Sequence, residues 1–209
     1  MIKELDKVFQ HQIIPVIAIQ EAELASPLAE ALVEGGLPCA EITFRTAAAK
    51  SVIKTMADRG DMLVGAGTVL TIAQAQEAVD VGATFIISPG FNPKVVEYCL
   101  AKSIPVIPGI ATPTEIQQAI EFGLEMVKFF PAEAFGGLNT LKAISAPFNK
   151  MKFIPTGGIN TDNICDYLNY PKVVAAGGSW MARTSMISNK QFEDIARLTS
   201  EAVALVASI

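Results

Sequence analysis

One unit recurs down this chain and leaves few folds open to it: an amphipathic segment ending near a glycine, a short β-branched run, then a stop of small residues, proline or glycine. It occurs at GGLPCAEITFR (35–45), DMLVGAGT (61–68), GATFIISPG (82–90), SIPVIPG (103–109), GLEMVKFFP (123–131), MKFIPTGG (151–158) and PKVVAAGG (171–178), while IIPVIAI (13–19) supplies an eighth run. Strands that alternate strictly with helices predict a parallel sheet covered by helices. Eight such units favour closure into an α/β fold of the (β/α)8 TIM-barrel type, a single domain over residues 1–209. An open doubly wound sheet usually carries a glycine-rich first turn, and the segment after Ile19, QEAELASP, has no glycine. Residues 2 to 10 precede the first strand and are expected to form a short N-terminal helix closing the barrel floor.

The segments between the runs carry helix signals with a physical basis. Thr112 can cap a helix with Pro113 at its first position and Glu115 reaching back; Asn92 before Pro93, and Thr71 with Gln74, repeat the pattern. Gly36, Gly60, Gly82 and Gly123 sit where a left-handed residue would end each preceding helix. The last helix, over about residues 191–207, is the most strongly periodic, with Phe192, Ile195, Leu198 and Val203 near one face.

Sixteen basic side chains face 21 acidic ones, a net charge of −5, and no cluster of Lys and Arg occurs. A nucleic-acid groove and an anionic membrane surface both need concentrated positive charge, so neither partner is expected. The longest apolar stretch, 13–19, falls far short of the ~20 residues that cross a bilayer. The first residues do not read as a signal peptide, so a cytoplasmic location is expected. Cys39, Cys99 and Cys165 are odd in number and widely spaced, and His11 is the one histidine. Neither a disulfide framework nor a zinc site fits, and each cysteine reads as a small buried hydrophobe.

Among the basic residues only Lys128 lies inside an apolar run, between Val127 and Phe129. A lysine there either snorkels outward or points into the barrel, where lost hydration disfavours the ammonium and leaves a nucleophilic amine. In the second run Cys39, Glu41, Thr43 and Arg45 alternate with Ala40, Ile42 and Phe44, which puts a carboxylate, a hydroxyl and a guanidinium on one face. A rise of ~6.5 Å per two residues sets Arg45 near the C-terminal lip and Glu41 about two layers lower. Thr68, closing GAGT, is a further donor at that lip or an ordinary turn cap. The paired glycines Gly157–Gly158 and Gly177–Gly178 are either tight turns or an anion site, with Ser179 adding a hydroxyl. A buried Glu41–Lys128 ion pair without chemistry, a phosphate-binding barrel without catalysis, and a barrel isomerase using Glu41 as base all stay open on these residues. A catalytic site built on a divalent metal ion would need several His or carboxylate ligands, which one histidine does not favour.

The passages Gly36-Leu37 followed by EITFR at 41–45, and GLEMVKFFPAE at 123–133, occur with GAGTVL (65–70), SPG (88–90), IPG (107–109), PTGGI (155–159) and GGSW (177–180). In that order, and over nearly the whole chain, they resemble the 2-keto-3-deoxy-6-phosphogluconate / 4-hydroxy-2-oxoglutarate (KDPG/KHG) aldolases, class I aldolases that work through a Schiff base. The resemblance implies a (β/α)8 barrel, a homotrimer and no cofactor. The implied substrate is a small 2-keto-4-hydroxy acid: 2-keto-3-deoxy-6-phosphogluconate, cleaved to pyruvate and glyceraldehyde 3-phosphate, and also 4-hydroxy-2-oxoglutarate, cleaved to pyruvate and glyoxylate. It further implies that Lys128 forms the imine, Glu41 is the acid and base, Arg45 with Thr68 holds the keto-acid carboxylate, and Thr156 lines the site. Gly157, Gly158, Gly178 and Ser179 would hold a terminal phosphate. Many members have a small or polar residue before the double glycine that follows the lysine. Here it is Phe135, a departure bearing on selectivity around the sugar chain. The intact EITFR leans away from the related galactonate-type aldolases.

Overall fold

A computed structural model of the chain describes residues 9–209, so the expected helix over 2–10 lies outside the described residues apart from Phe9 and Gln10. The β-branched runs form the strands β1 (Ile13–Ile17), β2 (Cys39–Thr43), β3 (Leu63–Gly67), β4 (Phe85–Ile87), β5 (Val106–Ile107), β6 (Gly109–Ile110), β7 (Met126–Phe129), β8 (Lys152–Pro155) and β9 (Ala176–Gly178). Helices α1 (Ala25–Glu34), α2 (Ala49–Asp58), α3 (Ile72–Asp80) and α4 (Pro93–Ala101) follow the first four strands in turn. Next come α5 (Pro113–Glu121) after β6, α6 (Gly137–Ser145) after β7 and α7 (Ile164–Leu168) after β8, with α8 (Thr184–Ser188) and α9 (Phe192–Val206) after β9.

Every pairing between these strands is parallel. Six strands form one sheet in the order β5-β4-β3-β2-β1-β9, and three form a second, β6-β7-β8. The eight expected runs thus appear as nine strands among the described residues. The fifth is divided at Pro108, which has no N–H to give a ladder and donates nothing to either neighbour. Its carbonyl still accepts from the Lys128 N–H at 2.9 Å. Isolated parallel bridges, Phe153 to Val173 and Thr156 to Gly177, run from β8 toward β9.

The sheet is buried on both faces, as parallel sheets under helices are, and all five residues of β2 are buried. Phe85, Phe129 and Phe153, from three different strands, are fully buried. Each such ring contributes about 1.5–3 kcal/mol by leaving water. A Cβ on Gly65 would overlap the Phe85 ring, so β3 owes its small residues to its neighbour. Outside the sheet, Gly35 at the end of α1 lets α9 approach; a Cβ there would lie 2.5 Å from Thr199 Cβ.

The helix signals act as the sequence indicates. Thr112 and Glu115 form a reciprocal capping box, and the Asn92 and Thr71 side chains accept from the N–H groups of Lys94 and Gln74. Gly36, Gly60, Gly82 and Gly123 all have positive φ. The buried stripe of α9 is Ile195, Thr199, Ala202 and Val206, with Phe192, Leu198 and Val203 half-buried at its edges. The apolar run therefore lies beside the contact face: Thr199 and Ala202 are the small residues that close approach requires. Cys39 and Cys99 are buried, whereas Cys165 is only half-buried.

Candidate active site

Because the strands are parallel, the segments after β2, β3, β7, β8 and β9 all leave the same end of the sheet, and the candidate residues lie on or just beyond those strand ends. Lys128 is the third residue of β7 and Glu41 the third of β2. Their exposures are 5% and 1%. Lys128 Nζ lies 3.1 Å from Glu41 Oε1 and 3.4 Å from Oε2. The lysine points inward, not outward to solvent. A Cβ on Gly67 of β3 would overlap the Glu41 carboxylate, so glycine at that position is what leaves the carboxylate its room. The Phe130 ring lies 5.3 Å from the ammonium, a favourable arrangement for a cation over an aromatic face. Such a buried pair does little for stability, since removing two charges from water costs about what their attraction returns. Its place in the fold is better explained by chemistry: across 3.1 Å a proton can pass from the ammonium to the carboxylate and leave a free amine.

The other polar groups of β2 are used differently. The Cys39 thiol donates weakly to the Ile13 carbonyl (3.6 Å), and the Thr43 hydroxyl donates to the Ile17 carbonyl (2.9 Å), so both are committed to β1. Burial pushes the Cys39 thiol up to about 12 and the Cys99 thiol up to about 11, which leaves both protonated and unreactive at neutral pH. Arg45 is exposed beyond the end of β2, and its Nε donates to Thr43 Oγ1 at 3.3 Å. Thr68 directly follows β3, half-buried, at φ +57°. A β-branched residue in the left-handed region carries strain of order 1–3 kcal/mol, and such strain collects at functional sites. Neither Arg45 nor Thr68 is hydrogen-bonded to the Lys128–Glu41 pair.

After β8, the Thr156 N–H donates to Phe129 O at 2.9 Å, which ties this turn to the strand that carries the lysine. Thr156 Oγ1 is buried with no hydrogen-bond partner among the described residues, a rare condition for a buried hydroxyl. Gly157 and Gly158 both have positive φ, +99° and +83°. Neither N–H finds a protein acceptor among the described residues. Through its bridge to Thr156, Gly177 brings Gly178 and exposed Ser179 beside this turn; a Cβ on Gly178 would overlap the Trp180 ring. Phe135 is half exposed, in the short 3-10 turn Glu133–Phe135 after β7.

The contributions of Gly67, of Phe130 and of the hydrogen bond that the Tyr167 hydroxyl on α7 donates to the Glu133 carboxylate are not evident from the sequence. An alternation of glycines in GAG, at Gly65 and Gly67, is the one signal for the first. Lys172 is half-buried and its ammonium donates to the carbonyls of Ser145, the last residue of α6, and Phe148 just beyond it. That placement follows from the partial negative charge at a helix C-terminus. Among the described residues no group of three or more His, Cys, Asp or Glu is arranged to hold a metal ion.

A lysine and a carboxylate in contact, buried between two parallel sheets whose strand ends carry glycine turns with free N–H groups, have the make-up of an α/β enzyme of the imine-forming type. The model of the KDPG and KHG aldolase family matches residues 5–198, and the chain belongs to that family. It is 46% identical over 196 residues to the 2-dehydro-3-deoxy-phosphogluconate aldolase of Treponema pallidum (strain Nichols), covering 93% of each chain. Its fold superposes with a TM-score of 0.90 on the KDPG aldolase of Legionella pneumophila, whose crystal structure holds pyruvate captured at low pH as a covalent carbinolamine intermediate. That pair is 42% identical, over 93% of this chain and 96% of the other. The 2-keto-3-deoxy-6-phosphogluconate aldolase of Zymomonas mobilis ZM4, crystallised with 3-phosphoglycerate, also gives 0.90, at 35% identity over 98% and 97%.

Proposed function

We propose that this chain is a class I aldolase that cleaves 2-keto-3-deoxy-6-phosphogluconate to pyruvate and glyceraldehyde 3-phosphate through an imine on Lys128, and that it also takes 4-hydroxy-2-oxoglutarate to pyruvate and glyoxylate. The observation that carries this reading is the buried Lys128–Glu41 contact at 3.1 Å. Glu41 takes a proton from the ammonium, and the free amine adds to the C2 ketone to give a carbinolamine. Glu41 returns the proton to the departing hydroxyl, water leaves, and a cationic imine remains. Glu41, directly or through a water, then accepts the proton of the C4 hydroxyl. The C3–C4 bond breaks as the aldehyde forms, and its electron pair moves into the imine to make an enamine. Protonation at C3 and hydrolysis of the imine release pyruvate and restore Lys128.

Arg45 at the end of β2 suits the substrate carboxylate, because a planar guanidinium pairs two oxygens at once. Thr68, beside it at the end of β3, adds a hydroxyl, and Thr156 Oγ1 turns its unpaired capacity to the substrate. The free N–H groups of Gly157 and Gly158, with Gly178 and Ser179 next to them, receive the terminal phosphate. Phe135 at the rim places an apolar ring near the sugar chain and bears on selectivity.

The same reading extends to the whole molecule. The sheet closes into a single (β/α)8 barrel of one domain: β5 and β6 are separated by Pro108 alone, and the Phe153–Val173 and Thr156–Gly177 bridges span the other seam. The assembly is a homotrimer by family resemblance, and sedimentation equilibrium should return three times the 22.2 kDa chain mass. A phosphorylated, multiply charged substrate does not cross a bilayer unaided, which supports a cytoplasmic location.

Borohydride reduction in the presence of pyruvate, followed by peptide mapping, tests the chemistry. An adduct on Lys128, absent from Lys128→Ala, is the expected result, and failure to label Lys128 while a control aldolase is labelled would overturn the imine. Ser179→Asp tests the phosphate turn, since it sets like charge against the phosphate. The phosphorylated substrate should lose far more affinity than the unphosphorylated one, and equal losses would remove the assignment.

A further inference from the structure

The turn assigned to the phosphate is held from outside by a contact that takes no part in the mechanism above. The Tyr167 hydroxyl, on α7, donates to the Glu133 carboxylate, in the 3-10 turn after β7. Tyr167 is 1% exposed. The segment carrying Glu133 runs alongside the phosphate turn: the Ala132 N–H donates to Thr156 O (2.8 Å) and the Glu133 N–H to Gly157 O (3.0 Å). The side chain itself occupies the place of two absent ones. A Cβ on Gly158 would lie 2.6 Å from Glu133 Cβ and Cγ, and a Cβ on Gly137 would lie 2.9 Å from Glu133 Oε1 and 3.3 Å from the Tyr167 hydroxyl. The stem of Glu133 is thus packed behind Gly158 with its carboxylate at Gly137, and the carbonyls of Thr156 and Gly157 are turned toward Ala132 and Glu133. Turning those carbonyls back leaves the N–H groups of Gly157 and Gly158 free for an anion.

A carboxylate this close to a bound phosphate would repel it if the side chain could swing forward. The hydrogen bond from Tyr167 prevents that by committing the carboxylate to the Gly137 side. Resting on the phosphate-turn reading above, we propose that Glu133 and Tyr167 are a positioning pair that clamps the segment after β7 to α7 and so fixes the Gly157–Gly158 turn in its phosphate-receiving form. The hydrogen bond, not the negative charge, does the positioning. Burial and the adjacent Glu133 carboxylate both push the Tyr167 hydroxyl up, so it stays protonated and remains the donor through the working range.

The experiment compares KM and kcat for the phosphorylated and unphosphorylated substrates in Tyr167→Phe, Glu133→Ala, Glu133→Gln and Ser179→Asp. In Tyr167→Phe and Glu133→Ala the KM for the phosphorylated substrate should rise about tenfold, as loss of one such bond implies, with kcat little changed. The KM for 4-hydroxy-2-oxoglutarate should hardly move. Glu133→Gln keeps an acceptor for Tyr167 and should restore the phosphorylated KM to the unaltered value or below it. Equal losses for both substrates in Tyr167→Phe, or as large a rise in Glu133→Gln as in Glu133→Ala, would overturn the proposal. If Ser179→Asp discriminates and Tyr167→Phe does not, the pair has no such role and the phosphate turn stands. If neither discriminates, both assignments fall.

Discussion

At the residue scale the site depends on what is left out as much as on what is present. Glu41 can reach Lys128 because position 67 has no side chain, and Gly67→Ala should push the carboxylate off its line. Turnover should then fall roughly a hundredfold, the usual penalty for a reacting group misplaced by an ångström, with the far-ultraviolet circular dichroism unchanged. Full activity in that variant would show that Glu41 tolerates displacement. Cys39 gives a second residue-level consequence. Its thiol titrates at about 12 in the fold against an ordinary 9.0, so the unfolded chain loses the proton first as pH rises. The contribution is complete below about pH 9 and is lost toward pH 12, at about 1.4 kcal/mol per pH unit. Unfolding free energy measured from pH 8.5 to 10.5 should therefore fall steeply, and less steeply in Cys39→Ala. Lys128 stood out in the sequence because a charge inside an apolar strand is anomalous, and Glu41 because alternation set it on a polar face. Gly67 and Phe130 did not, since knowing which side chains meet across a sheet requires the strand order.

At the scale of elements, the local signals were the most legible part of the chain. Capping residues and left-handed glycines act through neighbours three or four positions away, and those are written consecutively. The cap of α5 shows how such contacts rank. Glu115 Oε2 accepts from the N–H groups of Ala111 (2.8 Å) and Thr112 (2.9 Å) and from the Thr112 hydroxyl (2.9 Å), whereas Thr112 Oγ1 itself accepts only one long bond, 3.5 Å, from the Glu115 N–H. Glu115→Ala should accordingly cost about 2 kcal/mol and Thr112→Ala about 1 kcal/mol, read from urea unfolding midpoints. The reverse order would place the main support of the cap on the threonine. Less legible were the features set by packing between elements. The division of the fifth run at Pro108 depends on which neighbours would have asked for its N–H. The inward stripe of α9 depends on the close approach of Gly35, which selects Thr199 and Ala202 over the larger Leu198 and Val203.

At the scale of the whole molecule, alternation alone announced a parallel sheet under helices, because no other arrangement buries eight short apolar runs joined this way. The contact between β2 of one sheet and β7 of the other comes from the curl of the parallel strands, which no local pattern encodes. Lys128 and Glu41 stand 87 residues apart in the chain, one in each half of the molecule. In the proposed roles of imine-forming lysine and acid, the two make the activity a property of the assembled halves that belongs to neither. Cleaved at exposed Ser103, a non-glycine residue at positive φ, the chain separates into a piece with Glu41 and a piece with Lys128. Each fragment produced alone should be inert in pyruvate release, and the two co-expressed should recover it, so that catalysis serves as a reporter of fragment complementation.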